Sequence, residues 1–277
     1  MANISNREGG LFSCGTEDMD PAILEALKQE FSALEEEKDV HLLYVAESGS
    51  RAWGFASPDS DYDVRFVYVH EPEWYLRLEK HRDTIEWKLD ETLDISGWDI
   101  AKFLRLLRAS NPTALEWLAS PIVYRKLPAF ADMKELAAEA YQPRAGIYHY
   151  LHMAEANAER FLQADFVLPK KYLYAIRPIL AARWILDERT VPPMRFAELG
   201  EAELEPELSP LVDELLKEKM QSAEHALRPR IPVLDGWIER SCGDIQEKAE
   251  LVPKKERLSW ERFDEMFLHV LETAQES

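Results

Sequence analysis

Cysteine is nearly missing from this chain: of 277 residues only Cys14 and Cys242 carry a thiol, and neither belongs to a Cys-X-X-Cys or Cys/His pattern. Two thiols so far apart make neither a disulfide framework nor a zinc site of ordinary spacing, and a reducing cytoplasm is the expected home. Positive charge is short as well. Thirty-three Lys and Arg face 52 Asp and Glu, a formal charge of −19, which opposes indiscriminate attachment to nucleic acid or to an anionic membrane. No apolar run is long enough for a transmembrane helix, and no basic segment followed by a signal-like apolar stretch opens the sequence. Membrane partners are therefore not expected.

What is present is the makeup of a well-packed globule, 46% hydrophobic and 10% aromatic, on a length that suits one large or two modest domains. Residues 1–20, rich in Gly, Ser and Asn, read as a loose leader. From Pro21 the residues Ile23, Leu24, Leu27, Phe31 and Leu34 recur at helical spacing up to the charged EEEKD segment. Then His41–Ala46 reads as a short apolar strand, residues 61–69 alternate as a second, and residues 84–89 as a third. A further short extended piece spans 91–95. Beyond about residue 96 the period becomes helical. Segments 98–119 (broken at Asn111-Pro112), 129–140, 144–163, 170–188, 207–227 and 257–273 all read as helices, with a brief extended piece at 120–124. The reading is α+β: a core over 21–96 and a mainly helical region over 97–277, packed as one body because no Gly/Ser linker separates them.

One stretch carries chemistry. The strand at 41–46 runs into ESGSRAWGFASPDSDYDVRF, residues 47–66. Gly49 permits a positive backbone angle or a close approach, Ser50 offers a hydroxyl, and a helix beginning there would point unpaired amides at an anion. A helix cap or strand-end turn is the plainer alternative. Asp61 and Asp63 alternate along a strand, so both carboxylates project to one side. Two like charges so close are costly unless a cation compensates them, and Mg²⁺ takes such hard oxygen ligands while leaving positions for phosphate and water. Asp94, in the next extended piece, completes a set of three acids, and Glu86 is the alternative third carboxylate. Solvated edge residues or an Asx turn would be the bland account of the pair.

Together Gly49-Ser50, the Asp61-X-Asp63 strand and a third acid resemble the nucleotidyltransferase superfamily that contains DNA polymerase beta. The blocks GSRAWGFASPDSDYDVRF, LDISGWDIAKFLRLLRASNPTALEWLASPIVY and KYLYAIRPILAARWI, within residues 40–190, are similar to bacterial predicted nucleotidyltransferases described as RNA-repair-pathway enzymes. The resemblance implies an N-terminal mixed sheet packed with a helical C-terminal region. It also implies transfer of a nucleoside monophosphate from a triphosphate, with ATP as the expected co-substrate and pyrophosphate leaving. Gly49 and Ser50 then contact the triphosphate; Asp61 and Asp63 hold Mg²⁺, or Mn²⁺ in its place, with Asp94 as third ligand or base. The acceptor, a hydroxyl or phosphate on an RNA end or a small molecule, is not legible, and neither is the oligomeric state. A non-catalytic nucleotide sensor or partner-binding protein that keeps the fold is the rival reading, with an antitoxin-like role behind it.

Other residues could serve the same cleft. Arg51 follows the Gly-Ser corner and Arg65 lies two positions beyond Asp63; each could steady phosphate, and Arg65 could instead pair with an acid of the cluster. Lys102 and Arg105 share one helix face that either enters the cleft or is simply solvated. Lys170, Tyr174 and Arg177 form a basic and aromatic stripe able to hold a triphosphate and stack a base. His149 and His152 also share a face, yet no acidic or thiol partner nearby makes a metal pair of them.

Overall fold

The computed structural model describes residues 19–221 and 227–274. Most of the leader expected over 1–20, and Cys14 with it, lies outside the described residues.

Asp20 starts the first helix, α1 (Pro21–Lys38), by accepting the Ala22 amide at 2.8 Å, with Pro21 in the first turn where its missing N–H costs nothing. Leu27, Phe31 and Leu34 are its buried stripe, and Asp39 ends it in the left-handed region at φ 53°. The chain then gives β1 (His41–Glu47), α2 (Gly49–Trp53), β2 (Tyr62–Val69), α3 (Pro72–Tyr75), β3 (Thr84–Leu89) and β4 (Leu93–Asp99). Next come α4 (Ile100–Arg108), α5 (Pro112–Ala119), β5 (Val123–Lys126), a 3-10 turn (Pro128–Phe130), α6 (Met133–Ala140) and α7 (Pro143–Phe161). The remainder is β6 (Phe166–Val167), α8 (Pro169–Glu188), α9 (Phe196–Glu203), α10 (Ser209–Gln221), β7 (Arg228–Pro229), α11 (Pro232–Leu251) and α12 (Trp260–Thr273).

Five strands form one mixed sheet in the order β3-β4-β2-β1-β5, with β2 and β4 parallel and the other neighbours antiparallel. The expected α+β architecture is what the chain adopts. Two boundaries differ from the expectation. β4 extends to Asp99, beyond the transition placed near residue 96, and the extended piece expected at 120–124 is β5 at 123–126, which completes the sheet edge beside β1. Helices α9 and α11, absent from the sequence reading, are also present. In α11 the buried residues Leu234, Trp237, Ile238, Ser241, Ile245 and Ala249 keep a helical spacing that Gly236, Gly243 and many charges dilute.

The sheet is covered on both sides. On one face α1 seals Val45, Val64, Phe66, Ile95 and Tyr124 with its apolar stripe. On the other, Tyr44, Val67 and Val69 meet the helical region, where Trp98 and Trp117 stack with ring centroids 3.9 Å apart. β1 is consequently buried from Leu42 to Glu47, and its run of apolar residues is that of a strand covered on both faces. In the parallel pair Gly97 lies opposite Phe66, and a Cβ there would come within 2.4 Å of the Phe66 carbonyl oxygen. Only glycine lets β4 approach β2 this closely.

The axis of the helical region is α8, with Tyr172, Leu173, Ala175, Ile176 and Ile179–Ala182 all fully buried. Pro178 sits in its middle, where proline cannot donate to the carbonyl four residues back. That carbonyl belongs to Tyr174, and the Asn157 side chain of α7 donates to it at 2.9 Å. Replacing Asn157 with alanine is expected to leave the carbonyl without that donor and to lower stability by about 1–2 kcal/mol, measured as a shift of the urea midpoint.

A second prediction concerns pH. His70, at the end of β2, stacks on Trp74 at 3.9 Å and meets the Asp39 carbonyl through Nδ1 at 3.2 Å. Burial pushes its imidazole below the ordinary histidine range, against the pull of Asp39 and with help from His81 and Arg77. The unfolded chain therefore binds the proton first as pH falls, so this contribution to stability is present above the ordinary histidine range and is lost on acidification through and below it. His70→Phe, which keeps a ring on Trp74, should flatten the pH dependence of the urea midpoint between about pH 7 and pH 5.

Candidate active site

Glu47 is the last residue of β1 and is fully buried. One carboxylate oxygen accepts the Asp63 amide at 2.8 Å, and the other accepts the Tyr124 hydroxyl of β5. Desolvation pushes the Glu47 carboxyl up to about 7, with the Tyr124 and Asp63 hydrogen bonds opposing the shift. Ser120 binds the Glu47 carbonyl through its hydroxyl at 2.6 Å, and the Ser48 amide donates to the Asp63 carbonyl at 2.8 Å. Both polar main-chain groups of Asp63 are thus pinned from the end of β1.

Gly49 opens α2 with φ +57°, and a Cβ at that position would lie 1.9 Å from the Asp63 Oδ2. Glycine is required there both for the backbone angle and for the approach. The five-residue α2 is too short for a macrodipole, so what it offers an anion is its local amides. Between α2 and β2 the chain is held from two sides. Arg51 donates to the carbonyls of Asp61 and Ser60 at 3.0 and 2.5 Å and stacks on the Tyr62 ring at 3.7 Å. From α10, the buried Lys219 reaches the hydroxyls of Ser57 and Ser60 at 2.6 and 3.2 Å.

Parallel pairing sets Asp63 beside Asp94 on the face that carries Val67 and Trp98. Between them sits Arg65, whose Nη2 donates to Asp63 at 2.9 Å and to Asp94 at 2.7 Å while Nη1 donates to the Asp94 carbonyl at 2.7 Å. Burial raises the Asp63 carboxyl, Arg65 opposes that, and the charges of Asp61 and Asp94 reinforce it. Asp61 stands exposed just before β2. The result is a half-open acidic corner walled by the Gly49 backbone.

The model of the RNA repair pathway DNA polymerase beta family, RlaP, matches residues 23–269. The chain belongs to this family. It is also 43% identical over 245 residues, 88% of this chain and 94% of the other, to a Bacillus subtilis (strain 168) protein named only as uncharacterized protein YcgL. Polymerase-beta-like nucleotidyltransferases are the class that the RlaP family implies, and the mixed sheet with its covering helices agrees with that fold.

Of the residues singled out by sequence, Gly49, Ser50, Asp61, Asp63, Arg65 and Asp94 come together at one corner of the RlaP sheet. Glu86 does not join them. It pairs across the sheet with Ser96, is largely exposed, and faces Arg82 at 3.6 Å, so Asp94 is the acid beside Asp63. Lys102 is also elsewhere. It binds Asp83 at 3.0 Å and Thr84 at 2.7 Å, level with Trp98, about 13 Å along the strand from Asp94; a ligand role in this corner is corrected accordingly. Arg51 is committed to backbone carbonyls by two of its three nitrogens, which makes it a clamp first.

On α8, Tyr174 meets the edge of Trp53 with centroids 5.8 Å apart, and Lys170 lies one turn earlier on the same helix. Arg177 is buried. It pairs with Glu116 at 2.7 Å and covers Trp53 at 4.6 Å, so it is a core ion pair and not an open phosphate ligand. His149 is partly buried, and burial lowers its imidazole, as fits an uncharged packed histidine. The sequence reading passed over Glu47, Tyr124 and Lys219. The available signal for Glu47 was an acid closing an otherwise apolar buried strand.

Whether these residues suit a divalent ion is a question of donors. Among the described residues no three His, Cys, Asp or Glu side chains close into a ready cage. Yet Asp61 and the Oδ2 of Asp63 have no hydrogen-bond partner there, and both are hard oxygen donors beside a backbone that only glycine allows. The set fits Mg²⁺ or Mn²⁺.

Gly49→Ala tests the corner. It should cost at least about 1 kcal/mol from the backbone angle alone, plus the clash with Asp63. In a double-mutant cycle with Asp63→Ala the clash should vanish and part of the loss return, read from urea unfolding.

Proposed function

We propose that the protein is a cytoplasmic nucleotidyltransferase that moves a nucleoside monophosphate from a triphosphate, ATP foremost, to the hydroxyl or phosphate of an acceptor. One observation carries the reading: Asp63 stands in register with Asp94 and directly against Gly49, so the acids and the amides of the Gly-Ser corner share one small volume.

In the proposed reaction an acceptor oxygen attacks the α-phosphorus, the bond to the bridging oxygen breaks, and pyrophosphate leaves. Asp61 and Asp63 hold the divalent ion; when bound, it neutralises the phosphates and lowers the barrier to deprotonating an acceptor hydroxyl. The amides at Gly49 and Ser50, with the Ser50 hydroxyl, receive the triphosphate. Asp94 is the third acid, taking the acceptor proton or orienting its neighbours. Tyr174 and Lys170, on the helix that borders α2 through Trp53, flank the nucleotide.

For the acceptor, an RNA end is the reading that the family description favours. The charge of −19 argues for a short contact at the end and against a long RNA track. A non-catalytic nucleotide sensor is the second reading, and a single contact favours it: Arg65 already engages Asp94, the acid a catalyst would want free.

The discriminating experiment incubates the protein with each nucleoside triphosphate, Mg²⁺ or Mn²⁺ and candidate RNAs or metabolites, and reads nucleotide addition by mass spectrometry and pyrophosphate release. Addition is expected, and Asp61→Asn or Asp63→Asn should reduce it by roughly 100-fold or more. Full activity in both variants would refute the mechanism. Nucleotide binding with no pyrophosphate release from any acceptor would favour the sensor.

A further inference from the structure

We propose that Arg65 is the resident cation of the inner half of this site, so that the protein takes one divalent ion with its nucleotide instead of two. The inference rests on the function proposed above and specifies how the three acids divide their work.

The guanidinium is built in. Its side chain is only 18% exposed, and it makes four hydrogen bonds: to one oxygen each of Asp63 and Asp94, and to the carbonyls of Asp94 and Val64 at 2.7 and 3.2 Å. Those bonds lock it to the two parallel strands that carry the acids, unlike an exposed ion pair whose long side chain wanders. Arginine stays protonated at any working pH, so its charge is permanent. The space between Asp63 and Asp94 is therefore already occupied by a fixed positive charge shared between the two acids. A divalent ion entering there would meet the guanidinium at contact distance or have to expel it from four acceptors.

The oxygens that Arg65 leaves over are on the outer side. They are the Oδ2 of Asp63, against Gly49, and the carboxylate of Asp61, exposed and without a hydrogen-bond partner among the described residues. The Asp63 oxygen lies against Gly49, where the triphosphate is proposed to sit, and Asp61 is near enough for its charge to act on Asp63, so one ion there can serve carboxylates and phosphates together. On the Asp94 side, Arg65 supplies the positive charge that a second ion would otherwise bring.

The test counts ions. Metal-stripped full-length protein is titrated with Mn²⁺ in the presence of an α,β-methylene analogue of each nucleoside triphosphate, held below the protein concentration. Bound ion is followed by loss of the free Mn²⁺ paramagnetic resonance signal, against a protein-free control. The wild type is expected to take one ion per nucleotide complex. Arg65→Met, unbranched, shorter and uncharged, should take a second ion or bind Mn²⁺ alone about tenfold or more tightly, whereas Arg65→Lys should stay at one. Two ions in the wild type would overturn the inference and leave the proposed function standing. Unchanged stoichiometry and affinity in a folded Arg65→Met would also overturn it. Should that variant fail to fold, the wild-type and Arg65→Lys counts still decide. No ion in any nucleotide complex would overturn both proposals.

Discussion

The site depends on a buried carboxylate. Glu47 lies under Asp63 with no access to water, and its two oxygens are satisfied by the Asp63 amide and the Tyr124 hydroxyl. Burying such a group is unfavourable unless both oxygens find donors, so the three strands that provide and surround those donors can meet in only one arrangement. β1 carries the acid, β2 the amide and β5 the hydroxyl. With Ser48 holding the other side of Asp63, the strand that displays the acids is registered against the corner that displays the amides. An apolar residue at 47 would fill the space without specifying that alignment.

The second constraint is strand register. Asp63 and Asp94 are neighbours because β2 and β4 run parallel with those residues opposed. A slip of one residue would turn Asp94 to the α1 face and place Leu93 or Ile95 beside Asp63. Two features oppose the slip. Leu93 and Ile95 are buried under α1, and Gly97 is the one residue of β4 that tolerates the Phe66 carbonyl so near. Apolar burial and a single close approach thus determine which acid stands beside Asp63, a question that residue type alone left open between Asp94 and Glu86.

Much of this was legible in the sequence where a signal is local. The apolar stripe of α1, the alternation of β2, the Gly-Ser corner and the Asp-X-Asp pair each depend on neighbours a few positions apart, and the structure sets Gly49 against Asp63. Signals that need a distant partner were not legible. The extended piece read at 120–124 settles as Val123–Lys126 because β1 has an open edge beside it, and nothing in its own residues announces that partner. Lys102 and Arg177 carry charges that look ligand-like in isolation; Asp83 and Glu116, which claim them, lie 19 and 61 positions away. Glu47 read as the flank of a motif because its partners, Asp63 and Tyr124, are 16 and 77 residues on.

Lys219 gives the fold its indivisibility. Its ammonium group, carried by a helix that begins only at Ser209, long after β5 has completed the sheet at Lys126, holds the two serine hydroxyls of the loop that delivers Asp61. A fragment ending after β5 would retain every strand of the five-stranded sheet and every acid of the corner and still lose the buried cation that keeps this loop in shape. The sheet half and the helical half therefore cannot be exchanged as modules, and a change on the outer side of α10 has a mechanical route to the mouth of the site through one buried side chain.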